Sequence, residues 1–278
     1  MILVADSGST KTDWGLMSSD GAVRHFQTIG INPYFYGSRQ RYETLSVEIP
    51  NDLKCTDISR IYFYGAGCSS EQRIKRVRIA LKKIFTNAAI MVDHDLLGAA
   101  RALCGKERGI ATIMGTGSNA CLFDGEKIVD QHGGIGFILG DEASGAWLGK
   151  QLIQRVFYNE LPEEIQSSFD TKYGTDKNEL INGIYKGKYP NRYLASYALF
   201  YRDWQDHPYM VNIIYESFRE FVTRHILRFE GYTEVPFNSL GSIAYYFQNI
   251  LSDVLQEHNI RKGLIIRKPI DSLLNFHK

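Results

Sequence analysis

Apolar and polar positions along the chain alternate between two arrangements. Short apolar runs closed by glycine or an acidic residue, at 1–5, 61–64, 89–92 and 109–114, read as strands, the first of them buried on both faces. Segments 13–17 and 119–125 predict return strands after tight turns, and 21–26 and 127–131 predict a third strand beside each pair. Elsewhere the apolar spacing is helical: Ile74, Val77, Leu81 and Ile84 within 71–85, and a small-residue segment over 96–102. From 151 to 231 the pattern is mainly helical and rich in aromatics, with Val211, Ile214, Phe218, Val222 and Ile226 forming a core-facing stripe. A late strand at 235–240 leads into a turn at Gly241 that opens the last substantial helix, and 264–266 can add one more strand. Strands alternating with helices predict a mixed or parallel α/β sheet.

The chemistry collects in the turns. Residues 1–17 read strand, turn, strand, and the turn Asp6-Ser7-Gly8-Ser9-Thr10-Lys11-Thr12 is dense in hydroxyls and backbone donors. The common nucleotide loops lead from a strand into a helix, whereas nothing after Lys11 has helical spacing and neither usual glycine signature is present. A hairpin can still hold phosphate, because glycine lets successive N–H groups turn inward around an anion. Asp6 at the strand end suits a hydrated divalent cation; a plain surface hairpin is the alternative. The same unit returns at 109–125 with Gly115-Thr116-Gly117-Ser118 in its turn, so the chain holds two weakly similar halves. Two such hairpins facing one another would clamp a polyphosphate from both sides.

In α/β sheets ligands collect beyond the carboxyl ends of strands, where Asp6, Gly65-Ala66-Gly67, and Asp93 with Asp95 fall. Gly65 to Gly67 leave room for close approach to the backbone. Asp95 starts a helix, where capping is the ordinary role of aspartate. Pro33 holds Asn32 extended, which either aims its amide or punctuates a turn. The glycine-rich stretch 132–149 reads as a loop shaped to lie against a ligand, with Asp141 and Glu142 opening the helix that follows.

At 278 residues the chain is long for one core and predicts roughly two domains. A net charge of +1 gives no electrostatic footprint for nucleic acid or an anionic membrane, so the six Lys and Arg within 71–85 read as a solvated helix face. No apolar run approaches the roughly 18 residues a membrane span needs, which makes the cytoplasm the expected compartment. Cys55, Cys68, Cys104 and Cys121 form no C-x-x-C pair and read as reduced thiols.

Taken together, DSGSTKTDW (6–14), GINPY (30–34), YGAGC (64–68), VDHDLLGAA (92–100), GTGSNA (115–120), GGIGFILGDEASGAWLG (133–149) and LGSIAYYF (240–247) resemble the N-acetylglucosamine kinase family. That family belongs to the ATPases and sugar kinases of the actin, Hsp70 and hexokinase fold. The resemblance implies an α/β protein of two ribonuclease H-like domains with an interdomain cleft: 1–100, rejoined by the tail 264–278, and 101–263. It implies ATP and Mg²⁺ as cofactors, held by Asp6, Ser7, Gly8, Ser9, Thr10 and Lys11 in the first hairpin, Gly115, Thr116, Gly117 and Ser118 in the second, and Gly241 and Ser242 at the adenosine, with Asp6 near the metal. Asn32, Thr116, Gly134 and Asp141 match sugar contacts, to which Gly65, Ala66 and Gly67 are added as substrate-binding candidates. Asp95 matches the base that takes the proton from the sugar 6-hydroxyl, through its D-x-x-G-A spacing to Gly98; Asp93 is the competing candidate. Ile135 stands where some relatives place tryptophan. The partners expected are a small sugar and ATP, with no nucleic acid or membrane, and a homodimer is compatible. An ATPase activating a 2-hydroxyacyl-CoA dehydratase, or a sugar-binding homologue without turnover, are the alternative functions.

Overall fold

The computed structural model describes residues 1–8, 11–33, 38–54, 57–174 and 176–278, with the backbone alone at 38–41. The chain divides into two compact units, one of Met1–Glu107, Gly125–Lys127 and Lys268–Lys278, the other of Arg108–Asp124 and Ile128–Arg267.

The first unit is built on β1 (Ile2–Ser7), β2 (Lys11–Met17), β3 (Val23–Ile29), β4 (Arg60–Gly65) and β5 (Ala89–His94), in the order β3-β2-β1-β4-β5. β1, β2 and β3 form an antiparallel meander, while β4 and β5 run parallel to β1. Helices α1 (Ser38–Glu48), α2 (Asn51–Lys54), α3 (Glu71–Ile84) and α4 (Asp95–Cys104) complete the connections. Period-two alternation sends Leu3 and Ala5 to one face, with Trp14, Phe63, Val77 and Leu81, and Val4 to the other, with Tyr64 and Ala102. Because both faces are covered, the strand reads as an unbroken apolar run. Trp14 is fully buried, and its Nε1–H donates to Thr28 Oγ1 at 3.0 Å.

The second unit repeats this plan with β6 (Gly109–Met114), β7 (Ser118–Phe123), β8 (Ile128–Gly133), β9 (Phe237–Leu240) and β10 (Lys262–Ile266), in the order β10-β9-β6-β7-β8. Here β6, β7 and β8 are the meander, and β9 and β10 run parallel to β6 and β9. Between β8 and β9 lie α5 (Gly145–Tyr158), α6 (Glu163–Tyr173), α7 (Lys177–Tyr185), α8 (Pro190–Ser196), α9 (Phe200–Asp203) and α10 (Pro208–His225), then after β9 α11 (Ser242–Tyr246) and α12 (Gln248–Glu257). The expected stripe on α10 enters the main core through Ile214, Phe218 and Val222.

Finally α13 (Ile270–Phe276) returns to the first unit, where Ile270, Leu273 and Leu274 pack with Val4, Met17 and Tyr64. The division therefore differs from the expected limits at three places, one of them Gly125–Lys127, which cluster with the first unit. It falls after Glu107 rather than at residue 100, because α4 runs on to Cys104. Residues 264–266 pair with β9 in the second sheet, so the segment that rejoins the first unit begins at Lys268.

Candidate active site

In the first unit the carboxyl ends of β1, β4 and β5 lie in register, Ser7 beside Gly65 and Gly65 beside His94. That register brings Asp6, Ser7, Gly65 and Asp95 to one edge of one sheet. The Ser7 hydroxyl is buried, lies 2.8 Å from Thr12 Oγ1, and accepts the Ile31 amide at 3.0 Å, which fixes the segment carrying the buried Asn32 beside the end of β1. The Ala66 amide donates to the Ser7 carbonyl at 2.8 Å and the Cys68 amide to the Gly65 carbonyl at 3.1 Å, tying the 65–68 turn to the first hairpin. A Cβ at Gly65 would meet the Phe63 ring at 2.7 Å, so that position is closed to side chains from within. Ser9 and Thr10 lie outside the described residues.

The charges at this edge are unbalanced. Desolvation, then the neighbouring Asp95 and Asp13 carboxylates, push the Asp6 carboxyl up to about 7 against the pull of Lys11. Burial pushes Asp13 up as well, but hydrogen bonds from Gln27, Lys11 and Lys268 outweigh it and hold that carboxyl below the ordinary range. Lys11 Nζ sits 3.0 Å from Asp13, two residues on in the same strand β2. Desolvation also raises Asp95, despite the His94 charge and the Leu96 amide, which donates to Asp95 Oδ1 at 3.0 Å. The cap of α4 is not Asp95, as its position suggested, but His94, whose Nδ1 accepts the Leu97 amide at 3.2 Å. Gly98 packs α4 on the sheet, since a Cβ there would lie 2.7 Å from the Tyr64 ring.

In the second unit the turn after β6 is closed by the Gly115 amide donating to the Gly117 carbonyl at 3.0 Å. The first amides of α5 dock on it, Gly145 N–H to the Gly115 carbonyl at 2.8 Å and Ala146 N–H to the Thr116 carbonyl at 3.1 Å. Asp141 leans over the same turn: its carboxylate accepts the Ser118 amide, and a Cβ on Gly117 would lie 2.8 Å from its Oδ2. Desolvation, with the Glu142 charge, lifts Asp141 to about 6 against the Ser118 bond. Gly134 (φ 71°) lies against the Asn119 side chain, with a notional Cβ 2.9 Å from Nδ2. Asp141 and Glu142 were expected to open α5; the helix instead begins at Gly145, capped by the Ser144 hydroxyl, and both acids lie in the turn ahead of it. Left-handed backbone at Asp141 and Ala143 stops the helix from extending back to them.

Gly241 precedes α11 and abuts the turn at its base, and Ser242 lines a cavity of about 100 Å³ with Gly115, Thr116, Ala198, Arg202 and Tyr246. The Arg202 guanidinium stacks 4.0 Å from the centroid of the Tyr246 ring. Arg202 lies in the helical, aromatic-rich stretch 151–231 and Tyr246 inside the LGSIAYYF segment (240–247), and neither carried a site role in the sequence.

No protein-family model matches the chain. Among solved structures, the proposed N-acetylglucosamine kinase from Porphyromonas gingivalis is 37% identical with a TM-score of 0.95, the match covering all of this chain and 98% of that one. The chain belongs to the N-acetylglucosamine kinase family. The proposed family member from Chromobacterium violaceum is 16% identical at a TM-score of 0.72 over 100% of this chain and 98% of that one. A ROK family glucokinase from Streptomyces griseus, solved with glucose and AMPPNP, is 14% identical at a TM-score of 0.62 over 99% and 97% of the two chains. These two likenesses establish the shared fold, the actin-like architecture of sugar kinases, with its doubled β3-β2-β1-β4-β5 plan. Membership of the family makes the chain a sugar kinase.

Proposed function

We propose that this N-acetylglucosamine kinase family member transfers the γ-phosphoryl group of ATP to the 6-hydroxyl of N-acetylglucosamine or a related amino sugar, with Asp95 as general base. The observation that carries the assignment of the base is the shared edge of β1, β4 and β5, where the Asp95 charge bears on Asp6. A carboxylate lifted above its ordinary range accepts a hydroxyl proton more readily near neutral pH than an unperturbed one. Asp93 is the weaker candidate, because the D-x-x-G-A spacing of the family resemblance runs from Asp95 to Gly98, and Asp95 rather than Asp93 is among the charges that raise Asp6.

Phosphoryl transfer asks for alignment and neutralisation more than covalent chemistry. The Gly8 turn and the Gly115 to Ser118 turn would hold the phosphates through backbone donors, and Asn32, Gly134 and Asp141 the sugar. The cavity under Gly241 and Ser242 suits the adenosine, with apolar walls at Ala195, Ala198 and Leu199 and a stacked Arg202–Tyr246 pair. Mg²⁺ fits the charge pattern at Asp6, a desolvated carboxyl pressed by two others, and this ion is usually held by one or two carboxylates together with phosphates and water. When bound it would neutralise charge on the phosphates; Asp6 is the residue that would hold it. The AMPPNP in the Streptomyces griseus enzyme supports ATP as donor. The test is ADP release across a panel of amino sugars, with Asp95→Asn as control. A sugar-stimulated turnover that falls at least about a thousandfold in the folded variant is expected. Wild-type turnover in Asp95→Asn would overturn the base, and no stimulation by any sugar would overturn the kinase reading.

A further inference from the structure

Glu142 stands between two residues with left-handed backbone, Asp141 (φ 59°) and Ala143 (φ 58°). Neither is glycine, and such a conformation persists in a residue with a Cβ only where the surroundings over-determine it. Here they do so from two sides. Asp141 is held by the Ser118 amide and fills the space that the missing Gly117 side chain leaves. Glu142, 4% exposed, sends its carboxylate the other way, to His225 Nε2 at 2.9 Å, with Arg224 Nε 3.6 Å from its other oxygen. His225 is the last residue of α10, itself buried, with its ring 4.9 Å from that of Phe221 and beside the bare Cα of Gly133. Arg224 is shared, since its Nη2 lies 2.7 Å from Glu220, so His225 is the partner that holds Glu142.

We propose that His225 is a positioning residue for the acceptor site: by holding Glu142 it locks the 141–143 turn, and so keeps the Asp141 carboxylate against Ser118. This rests on the reading that Asp141 contacts the sugar. A buried carboxylate stripped of its charged-bond partner turns out to solvent. Because Glu142 is flanked directly by the two left-handed residues, its departure releases the turn and with it Asp141. The Gly133 and Gly134 backbone, packed beside the His225 ring and the Asn119 side chain, puts the other proposed acceptor position on the same support.

His225→Leu keeps the apolar volume and removes the donor, whereas His225→Gln keeps an N–H donor at similar reach. In His225→Leu the KM for the sugar should rise about tenfold, the loss of one charge-assisted hydrogen bond, with kcat and the KM for ATP within about twofold of wild type. Amide exchange at Ser118 should quicken in the same variant, and His225→Gln should restore both. Glu142→Met removes the bond from the other side and carries the same expectation should His225→Leu not fold. Unchanged Ser118 exchange in a folded variant overturns the positioning role itself. Faster exchange with an unchanged sugar KM overturns the link to the acceptor, and with it the sugar contact of Asp141.

Discussion

Gly241, at φ 124°, lies so close to Met114 that a Cβ added to it would stand 2.3 Å from the Met114 carbonyl oxygen and 3.1 Å from the Gly115 nitrogen. The segment proposed for the adenosine and the root of the second phosphate turn are thus one packed unit. Gly241→Ala meets both obstacles, a backbone conformation closed to alanine and a collision with main chain rather than with a yielding side chain. We expect it to lower stability by about 2 kcal/mol or more and to raise the KM for ATP, measured by denaturant unfolding and steady-state kinetics.

Asp6 predicts how stability follows pH. Its folded carboxyl is lifted from an ordinary 3.8 to about 7, so the folded chain binds the proton more tightly than the unfolded one. The stability this contributes is fully present below about pH 4 and is lost as pH rises towards 7. Asp6→Asn removes the penalty and should stabilise the ligand-free protein at pH 8 by roughly 1–2 kcal/mol, a figure reduced for solvent screening, while abolishing turnover. Thermal unfolding at pH 5 and 8 checks it; equal shifts at the two values would contradict the Asp6 assignment.

The opposite sign governs the end of the chain. Arg101 Nη1 donates to the Tyr64 hydroxyl at 2.8 Å, which leaves the tyrosine proton for His277 Nε2 at 2.7 Å, and the imidazole stacks on Tyr62 with centroids 3.5 Å apart. An acceptor at Nε2 means a neutral ring. Desolvation, then the Arg101 and Arg60 charges, drop its pKa to about 4 from 6.5. Stability from this group is therefore complete above about pH 6.5 and lost as pH falls to 4, and protonation should loosen α13 from Val4 and Met17. His277→Gln should flatten this acid limb by roughly 1 kcal/mol, after the same discount, in unfolding curves taken from pH 7 to 4.

These sites were unequally visible before folding. The strand ends at which Asp6 and Gly65 lie, and after which Asp95 follows, could be read because each strand carries a short apolar run. The run is unbroken in β1, where both faces are covered, and still legible in the part-buried edge strand β5, and its end marks the ligand edge. The repeat of turn and meander was visible for the same reason, in 1–29 and again in 109–133. The start of α5 was not. Asp and Glu favour a helix N-terminus electrostatically, and no local pattern shows that Asp141 and Ala143 take left-handed backbone, since that conformation is imposed by Ser118 and by His225 eighty-three residues beyond Glu142. Asp95 was open to a capping reading because position alone does not say which of two neighbouring polar side chains accepts the Leu97 amide. Arg202 and Tyr246 come from separate helices, and their stack exists only in three dimensions.

That stack supplies a last expectation. With its guanidinium 4.0 Å from the Tyr246 centroid, Arg202 presents a flat cationic surface beside a cavity otherwise walled by Ala195, Ala198, Leu199 and Ile243. A purine inserted there would stack on one planar group and meet apolar side chains, an arrangement worth about 1–2 kcal/mol in similar settings. Arg267, 5.4 Å from the same ring, cannot replace it, because it does not line the cavity. Arg202→Ala should therefore raise the KM for ATP about tenfold and weaken the thermal shift given by ADP, while the KM for the sugar stays as in the wild type. Arg267→Ala should leave both constants nearly unchanged. A sugar KM that rises in step with that for ATP would instead place Arg202 in the general support of α8 and α9, and the base would have to bind elsewhere.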